Sequence, residues 1–262
     1  MSSSRVVWPE ARGRHSKRGQ GPGNKLSVSV VIPTLNEAEN LKQVLPHLPL
    51  WIDEVVIVDG RSTDDTVEVA RSLLPNVKIV LEQRKGKGVA LRSGFEAAKG
   101  DIIVMMDADG SMNPAEIGLF VRHLREGADF VKGSRFLQGA GSSDISWLRQ
   151  LGNLGFTVAV RVLFGGRYSD LCYGYAAFWN SVVPELKLDG DGFEIETQMN
   201  IRALRAKLRI VEVPSFEFDR IHGTSNLRTF PDGWRVLKTI FAERFARRPQ
   251  QQNSGDTRAV HT

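Results

Sequence analysis

Two aspartates separated by one residue follow an apolar run, and this spacing predicts a site for a divalent cation. Asp107 and Asp109 come directly after residues 102–106, which read Ile-Ile-Val-Met-Met. Two carboxylates at a strand end can share one Mg²⁺ or Mn²⁺, because these ions prefer oxygen ligands and usually keep substrate phosphate in their shell. Such a cation offsets the charge on a leaving diphosphate. The pair therefore predicts metal-assisted chemistry on a diphosphate, although Asp-x-Asp also occurs in loops and helix caps.

A basic turn punctuated by glycines precedes a predicted helix. It contains Arg84, Lys85 and Lys87, and a glycine, Gly86 or Gly88, follows each of the two lysines. Backbone N–H groups at the start of a helix can bind phosphate. We therefore predict a phosphate contact at this turn, with a solvated surface turn as the simpler alternative.

Apolar strands alternate with amphipathic helices through the first half of the chain. The predicted strands are residues 27–33, 54–59, 77–82, 101–107 and 130–134, and the predicted helices are residues 37–48, 64–74, 89–99 and 114–126. This alternation is typical of an α/β fold with a mixed, mostly parallel, twisted sheet that carries helices on both faces. Ligands of such sheets bind beyond the carboxyl ends of the strands. Because Glu37, Asp59, Lys87 and Asp107 follow four of the strands, we expect them at one rim.

The second half of the chain is less regular. Its patterns predict helices at residues 144–164, 193–205 and 230–247, a strand at 208–214, and a loop and strand at 170–179. The helix at 144–164 is too short and too interrupted to span a bilayer. We expect it to pack in the core, with a position in a membrane interface as the alternative.

Eight short segments along the chain resemble the motifs of one enzyme family. They are Val-Ile-Pro-Thr-Leu-Asn-Glu at 31–37, Val-Asp-Gly-Arg-Ser-Thr-Asp-Asp-Thr at 58–66, Gly-Lys-Gly-Val-Ala at 86–90, Met-Asp-Ala-Asp at 106–109, Gly-Ser-Arg at 133–135, Asp170 with Gly-Tyr at 174–175, Val-Glu-Val-Pro at 211–214 and Gly-Thr-Ser-Asn-Leu at 223–227. In this order they resemble the family 2 glycosyltransferases of GT-A fold, and most closely the dolichol- or polyprenyl-phosphate mannosyl- and glucosyltransferases.

The resemblance implies that the chain moves a hexose from a sugar nucleotide, and it assigns residues to the donor site. The residues assigned are Pro33, Asn36, Glu37, Asp59, Lys87, Asp107, Arg135, Arg220 and Ser225. The resemblance implies that Glu37 and Asp59 form hydrogen bonds with the base or ribose, and that Arg135 lies near the acceptor or the phosphates. Asp107 and Asp109 are implied as the ligands of Mg²⁺ or Mn²⁺.

The chain departs from the family pattern at several points, which leaves the sugar and the acceptor open. Relatives commonly have Asp-Asp-Gly-Ser where this chain has Asp-Gly-Arg-Ser at 59–62. Mannosyl relatives have Asp-x-Thr-Ser-Gly where this chain has Asp-Leu-Cys-Tyr-Gly at 170–174. Arg220 and Ser225 belong to a late loop that closes over phosphate in relatives.

An acceptor hydroxyl needs a general base, whereas an acceptor phosphate is already anionic and needs only positioning. Asp170, Glu194 and Glu196 are the candidates for a catalytic carboxylate. Residues two apart on a helix face different sides, so we expect only one of the two glutamates to reach the site. We favour Glu194, which follows a glycine-rich turn. Stabilisation of the helix N-terminus is the alternative role for either glutamate.

Length and composition suit a soluble globular protein with one large domain or two small ones, and we expect it to be cytoplasmic. The chain has 262 residues, 41% of them hydrophobic, and a single cysteine, Cys172, which excludes an internal disulfide framework and fits a reducing compartment. Neither a secretory signal nor a window long enough to span a bilayer is visible. We predict a GT-A domain at residues 26–247, flanked by disordered tails at 1–25 and 248–262.

The positive charge of the chain is concentrated in its first 25 residues. They contain six Lys or Arg and one Glu, which accounts for the whole net charge of +5. The rest of the chain therefore has no net positive charge, which argues against nucleic-acid binding by the folded part. This tail is either a solvated arm or attracted to anionic lipid headgroups, at about 1 kcal/mol per basic residue. The second interpretation predicts peripheral contact with the inner face of a membrane.

Three hypotheses about function follow. The leading one is an inverting transfer of a hexose from a nucleoside-diphosphate sugar, of UDP-glucose or GDP-mannose type, to a polyprenyl phosphate such as dolichyl or undecaprenyl phosphate. The second is transfer to a soluble or secondary-metabolite acceptor. The third is a sugar-nucleotide-binding protein without catalysis, against which the intact pair Asp107 and Asp109 argues.

Overall fold

The computed structural model of the protein describes residues 4–6, 26–224 and 227–246, which contain an eight-stranded sheet, a two-stranded sheet and surrounding helices. The strands are β1 (Arg5–Val6), β2 (Val28–Thr34), β3 (Glu54–Asp59), β4 (Lys78–Leu81), β5 (Ile102–Met105), β6 (Phe130–Ser134), β7 (Gly141–Ser142), β8 (Ala176–Trp179), β9 (Ile210–Pro214) and β10 (Phe216–Glu217). The α-helices are α1 (Ala38–Val44), α2 (Thr66–Leu73), α3 (Lys87–Ala97), α4 (Ile117–Arg125), α5 (Trp147–Phe164), α6 (Val183–Leu186), α7 (Glu194–Arg205) and α8 (Thr229–Phe245).

The central sheet is mixed and mostly parallel, with the strand order β1-β9-β6-β8-β5-β2-β3-β4. Strands β5, β2, β3 and β4 are parallel to one another, and β9 is parallel to β6. Strand β8 lies between β5 and β6 and is antiparallel to both. The predicted α/β fold class is thereby confirmed, and β8 is the strand that joins the two parallel groups.

The middle of the sheet is buried, which explains its near-continuous apolar sequences. All four residues of β5 are buried, and burying such side chains stabilises the fold by about 1.5–3 kcal/mol each. Helix α3 packs directly on β2 and β3 because Gly94 has no side chain. A Cβ at this position would lie 2.4 Å from Cγ1 of Val31 and 2.8 Å from Cγ2 of Val58.

The strand register brings the segments that follow β2, β3 and β5 to one rim. Thr34 is opposite Asp59, and Val31 is opposite Met105. Asp107 follows Met105 by two residues and therefore leaves the sheet where β2 and β3 also end. This is the rim predicted from the polar residues that follow the strands.

The structure changes two details of the predicted organisation. Arg5 and Val6, which were predicted to lie in a disordered tail, pair antiparallel with Glu212 and Val211 of β9. The other residues of the predicted tails lie outside the described residues, except Ser4. Short 3₁₀ turns at Leu45–His47 and Pro114–Glu116 replace parts of two predicted helices. Among the described residues, every helix falls short of the length and apolarity that crossing a bilayer requires.

Candidate active site

Asp107 and Asp109 lie in the turn after β5, and both line a cavity at the rim of the sheet. Asp109 is held by its own turn, because its Oδ1 accepts hydrogen bonds from the N–H (3.0 Å) and the hydroxyl (2.7 Å) of Ser111. Gly110 has a φ of 81°, a left-handed conformation that favours glycine. The turn therefore holds both carboxylates in the cavity wall.

Lys87 connects Asp107 to a carboxylate on a different helix. Its Nζ lies 2.7 Å from Oδ1 of Asp107 and 2.7 Å from Oε1 of Glu196. Burial alone would lower the pKa of Lys87, but the charges of Asp107 and Glu196 outweigh burial and raise this pKa above its ordinary value. The ammonium therefore stays charged and joins the start of α3 to the start of α7 inside the cavity.

Arg220 connects Asp109 to Glu37 on the other side of the aspartate pair. Its Nη2 lies 3.1 Å from Oδ2 of Asp109, and its Nη1 lies 3.0 Å from Oε1 of Glu37. The N–H of Ile221 donates to the carbonyl of Asp109 at 3.1 Å, which fixes this segment to the turn. Ser225, the other late-loop residue assigned to the donor, lies outside the described residues.

Arg135 is anchored by two carboxylates in the wall of the cavity. Its Nε lies 2.7 Å from Oδ2 of Asp170, and its Nη1 lies 3.0 Å from Oε2 of Glu217. Its guanidinium carbon lies 4.9 Å from the ring centre of Tyr173. Arginine has five N–H donors, so these contacts leave at least one donor for a ligand.

Asp170 is completely buried beneath Arg135. Burial alone would raise the pKa of Asp170, but the charges of Arg135 and Lys132 outweigh burial and lower this pKa. An acceptor cannot reach a carboxylate in this position. The structure therefore corrects the prediction of Asp170 as a catalytic carboxylate, and its role is to hold Arg135.

Glu196, rather than Glu194, lies in the cavity wall. Oε1 of Glu194 accepts hydrogen bonds from the N–H groups of Asp191 (3.1 Å) and Gly192 (2.9 Å), so it caps the turn before α7. Glu196 lines the cavity beside Lys87. Burial raises the pKa of Glu196, although Lys87 opposes this shift. This geometry corrects the choice of Glu194, which instead takes the alternative role of stabilising the N-terminal end of α7.

Two N–H groups that follow the basic, glycine-containing turn are already used within the protein. The N–H groups of Gly88 and Val89 both donate to the carbonyl of Asp191, at 2.8 and 3.3 Å. A Cβ at Gly88 would lie 2.3 Å from the carbonyl oxygen of Gly190, so glycine is required for this approach. These two N–H groups are therefore not available to phosphate. Arg84, Lys85, Gly86 and Lys87 of the same turn line the cavity, so the predicted phosphate contact stays a prediction for that part of the turn.

Residues after β2 form one end of the cavity. Pro33 and Glu37 line it. Asn36 does not line it and has a structural role, since its Oδ1 accepts the N–H of Thr63 at 2.7 Å while its own φ is 57°. This contact holds the segments after β2 and β3 together.

Asp59 has a buried carboxylate oxygen, Oδ1, without a hydrogen-bond partner among the described residues. Its Oδ2 accepts the N–H groups of Arg61 and Ser62, both at 3.1 Å. Buried polar atoms are usually paired, but Asp59 itself does not line the cavity, so its observed role is to hold the turn after β3 through Oδ2. Arg61 lines the cavity and keeps a φ of 71° at the position where relatives have glycine.

One cavity of about 1310 Å³ joins these groups. Its charged wall contains Glu37, Lys87, Asp107, Asp109, Arg135, Glu196 and Arg220. Its apolar wall comes from α5 and α8 and contains Leu148, Leu151, Phe156, Phe230, Trp234 and Leu237. Since a site for one small ligand usually occupies about 300–1,000 Å³, this cavity has room for two substrates, one of them amphipathic.

The aspartate pair fits Mg²⁺ or Mn²⁺ together with substrate oxygens. Carboxylate oxygens are the ligands that these ions prefer, and Mg²⁺ commonly takes one or two carboxylates plus phosphates. Within residues 4–6, 26–224 and 227–246, no group of three or more His, Cys, Asp or Glu side chains could hold a metal ion. Asp107 and Asp109 would therefore hold the ion with phosphate oxygens and water completing its shell.

Two parts of the site were not predicted from the sequence. Glu217, which anchors Arg135, lies in a two-residue strand without a recognisable motif. The other is the apolar wall, because the helix at 144–164 was expected to pack in the core, with a membrane interface as the alternative, and no role was predicted for the last helix. The clustering of Trp234 and other large apolar residues on the last helix was the signal that it has a second role.

Comparisons with known proteins identify relatives over most of this chain. The model of the family "Glycosyl transferase family 2" matches residues 29–186. Glycosyltransferase AglJ of Haloferax volcanii is 29% identical over 221 residues, which are 82% of this chain and 71% of the relative. The dolichol-phosphate mannosyltransferase of Pyrococcus furiosus is 32% identical over 212 residues. That match covers 78% of this chain but only 60% of the relative.

A solved structure with bound ligands has the same fold. It is glucosyl-3-phosphoglycerate synthase from Mycobacterium tuberculosis in complex with Mn²⁺, UDP and glucosyl-3-phosphoglycerate. It superposes with a TM-score of 0.68 at 25% sequence identity, over 83% of this chain and 80% of the other.

Proposed function

The chain belongs to glycosyl transferase family 2, and from this premise we propose that it transfers a hexose from a nucleoside-diphosphate sugar to a polyprenyl phosphate, with inversion at the sugar. The observation that carries the proposal is the cavity with one charged and one apolar wall. The charged wall suits a diphosphate and an acceptor phosphate. The apolar wall suits the hydrocarbon of a lipid acceptor, which a small polar acceptor does not need. The similarity to a dolichol-phosphate mannosyltransferase supports the same acceptor class.

The donor lies across the rim, with its nucleoside toward Pro33 and Asp59 and its diphosphate toward Asp107 and Asp109. Gly60 and Arg61, which follow Asp59 and line the cavity, are the residues of this segment that the base or ribose would meet. Arg220 contributes positive charge beside the diphosphate, since it already lies against Asp109. A Mg²⁺ or Mn²⁺ ion held by the aspartate pair would offset the negative charge of the leaving nucleoside diphosphate.

Transfer forms one bond and breaks one bond at the anomeric carbon. An oxygen of the acceptor phosphate attacks that carbon, and the bond to the donor phosphate breaks as the nucleoside diphosphate leaves with the electron pair. The attacking oxygen is already anionic, so the protein needs to orient it rather than deprotonate it. The free N–H of Arg135 and the buried ammonium of Lys87 are the groups on this chain that hold phosphate charge there. Glu196 orients Lys87.

A soluble phosphorylated acceptor is the second candidate. The observation that favours it is the likeness to a synthase solved with glucosyl-3-phosphoglycerate. The charged wall alone would serve such an acceptor, and the apolar wall would then have no ligand.

The experiment uses the full chain with Mn²⁺ and radiolabelled UDP-glucose or GDP-mannose. One set of reactions contains undecaprenyl or dolichyl phosphate in detergent, and the other contains 3-phosphoglycerate. We expect label to enter the organic phase with the lipid acceptor. Label that stays in water, in a product that requires 3-phosphoglycerate, would replace the lipid proposal with the second candidate. Nucleotide release without any acceptor product would contradict both.

A further inference from the structure

Helices α5 and α8 expose a large apolar surface that lies partly in the cavity and partly outside it. On α5 the exposed large side chains recur every three or four residues, as Trp147, Leu151, Leu154, Val158 and Val162. On α8 they are Phe230, Trp234, Phe241 and Phe245. Trp147, Val162, Phe230 and Phe245 are each more than 70% exposed. Spacing of this kind places each set on one side of its helix.

The two stripes are neighbours and continue into the cavity. Helices α5 and α8 contact each other. Leu148 and Leu151 of α5 line the same cavity as Phe230 and Trp234 of α8. We call the exposed apolar residues of both helices, together with the exposed basic residues of the same two helices, the α5–α8 face.

The exposed charges on this face have one sign. Helix α5 contains no acidic residue. The two acids of α8, Asp232 and Glu243, are each only 4% exposed. Glu243 is paired with Arg202 and Arg205 of α7, at 2.7 and 2.8 Å.

All exposed charged residues on the two helices are therefore basic. They are Arg161, Arg235, Lys238 and Arg244. An apolar stripe flanked by basic residues, on helices that do not span a bilayer, is typical of helices that lie in a membrane interface.

We propose that the α5–α8 face docks on an anionic lipid bilayer and so places the mouth of the cavity at the lipid surface. Apolar side chains enter the boundary between headgroups and acyl chains, while the basic residues contact anionic headgroups. Docking of this kind also explains why the apolar cavity wall opens onto the same face. This inference rests on the proposed function only for the reason why the protein docks, which is to reach a lipid acceptor. The surface itself is present whatever the acceptor is.

A second copy of the chain is a less suitable occupant. In a two-fold dimer the same patch meets itself. The four exposed basic residues would then face four more, with no exposed acid on either helix to neutralise them. Anionic lipid supplies the opposite charge.

The test measures binding of the full chain to vesicles by co-sedimentation. Vesicles of phosphatidylcholine with phosphatidylglycerol are compared with phosphatidylcholine alone. The test variant is Leu154→Gln/Val162→Gln/Phe245→Gln, whose positions do not line the cavity. The control variant, Leu50→Gln/Leu73→Gln/Leu81→Gln, changes three exposed leucines elsewhere in the fold.

We expect the test variant to bind anionic vesicles on the order of tenfold or more weakly, because the partition of such helices scales with buried apolar area. The control variant should bind like the unchanged protein. Both should keep the thermal stabilisation by UDP with Mn²⁺, which shows that the fold and donor site are intact. Equal vesicle binding by the two variants would overturn the proposal.

Further experiments distinguish docking by the α5–α8 face from docking by the basic tail and from contact with a second copy of the chain. They also distinguish a failure of this inference from a failure of the proposed acceptor. Replacing Arg12, Arg14, Lys17 and Arg18 by Gln tests the basic tail, and loss of all binding in that variant alone would assign docking to the tail. A dimer in solution that only the test variant dissociates would assign the face to a second copy. Normal docking without transfer to a polyprenyl phosphate would leave this inference standing and contradict only the proposed acceptor.

Discussion

The Nζ of Lys87 lies 2.7 Å from Oε1 of Glu196, a contact between side chains 109 positions apart in the chain. Lys87 begins α3 and Glu196 lies in the first turn of α7, so one ion pair joins the two halves of the site. Asp107 shares the same ammonium. The contact places Glu196 beside Asp107, in the proposed metal and diphosphate site, whereas Glu194 caps a turn.

The two glutamates therefore respond differently to conversion to Gln. Because Glu196 orients Lys87 without accepting the proton of the acceptor, we expect Glu196→Gln to lower kcat by about tenfold with polyprenyl phosphate, well short of the upper range for loss of a general base. Glu194→Gln should leave kcat within about twofold and lower stability by about 1 kcal/mol, since it weakens a cap. Steady-state kinetics and urea unfolding of both variants measure this. A fall of about 10³-fold or more in Glu196→Gln, together with loss of the acidic limb of the pH profile, would instead identify a general base.

Asp109 is expected to carry the metal dependence. Asp109→Asn keeps the shape of the turn and one acceptor for Ser111 but loses the charge that a divalent cation needs. We expect activity to fall by about 10²-fold or more, and the thermal stabilisation by UDP to become independent of Mn²⁺. The matched control is Asp65→Asn, at an exposed residue with no side-chain cap bond. Chelator should abolish the activity of the control, and full activity of Asp109→Asn in chelator would remove the metal from the proposal.

Local sequence patterns predicted much of the fold, because the periodicity of a strand or helix depends on neighbouring residues. Strands β3 and β6 have the predicted bounds. The choice between Glu194 and Glu196 was not predictable in this way. It depends on the rotation of α7 about its axis, which contacts between distant segments fix, and the hydrogen bond from Gly88 to Asp191 is one contact that holds the start of α3 against the turn before α7. Arg135 was predicted at the site, but its dependence on Asp170 and Glu217 arises from pairing between segments far apart in the chain.

Two helical glycines should respond in opposite directions to substitution by Ala. In α3, a Cβ at Gly94 would lie 2.4 Å from Val31 and 2.8 Å from Val58, so Gly94→Ala overpacks the core. We expect a loss of about 1–3 kcal/mol in the free energy of unfolding. In α4, a Cβ at Gly118 would meet nothing within 4 Å, so Gly118→Ala should stabilise by up to about 1 kcal/mol through helix propensity. Urea denaturation of both variants decides this, and equal stability would contradict the close packing of α3 on the sheet.

The buried pair Arg135–Asp170 should make stability depend on pH in a specific direction. The pKa of Asp170 is lowered in the folded protein, so its charged form stabilises the fold above the pKa of the unfolded chain, which is about 3.9. That contribution is lost as the pH falls through the lower, folded pKa. Arg135→Met leaves the carboxylate buried without its main partner, and we expect a loss of about 3–5 kcal/mol at pH 7.

In the Arg135→Met protein the carboxylate can relieve its burial by taking up a proton as the pH falls. The difference in unfolding free energy from the unchanged protein should therefore be largest near neutral pH and shrink toward about pH 4. The control is Arg122→Met, which breaks an exposed pair with Glu126 at 3.2 Å and should cost less than about 1 kcal/mol. Urea unfolding at several pH values provides the comparison. A difference that is the same at all pH values would show that Arg135 stabilises the fold by packing on Tyr173 and not by its charge on Asp170.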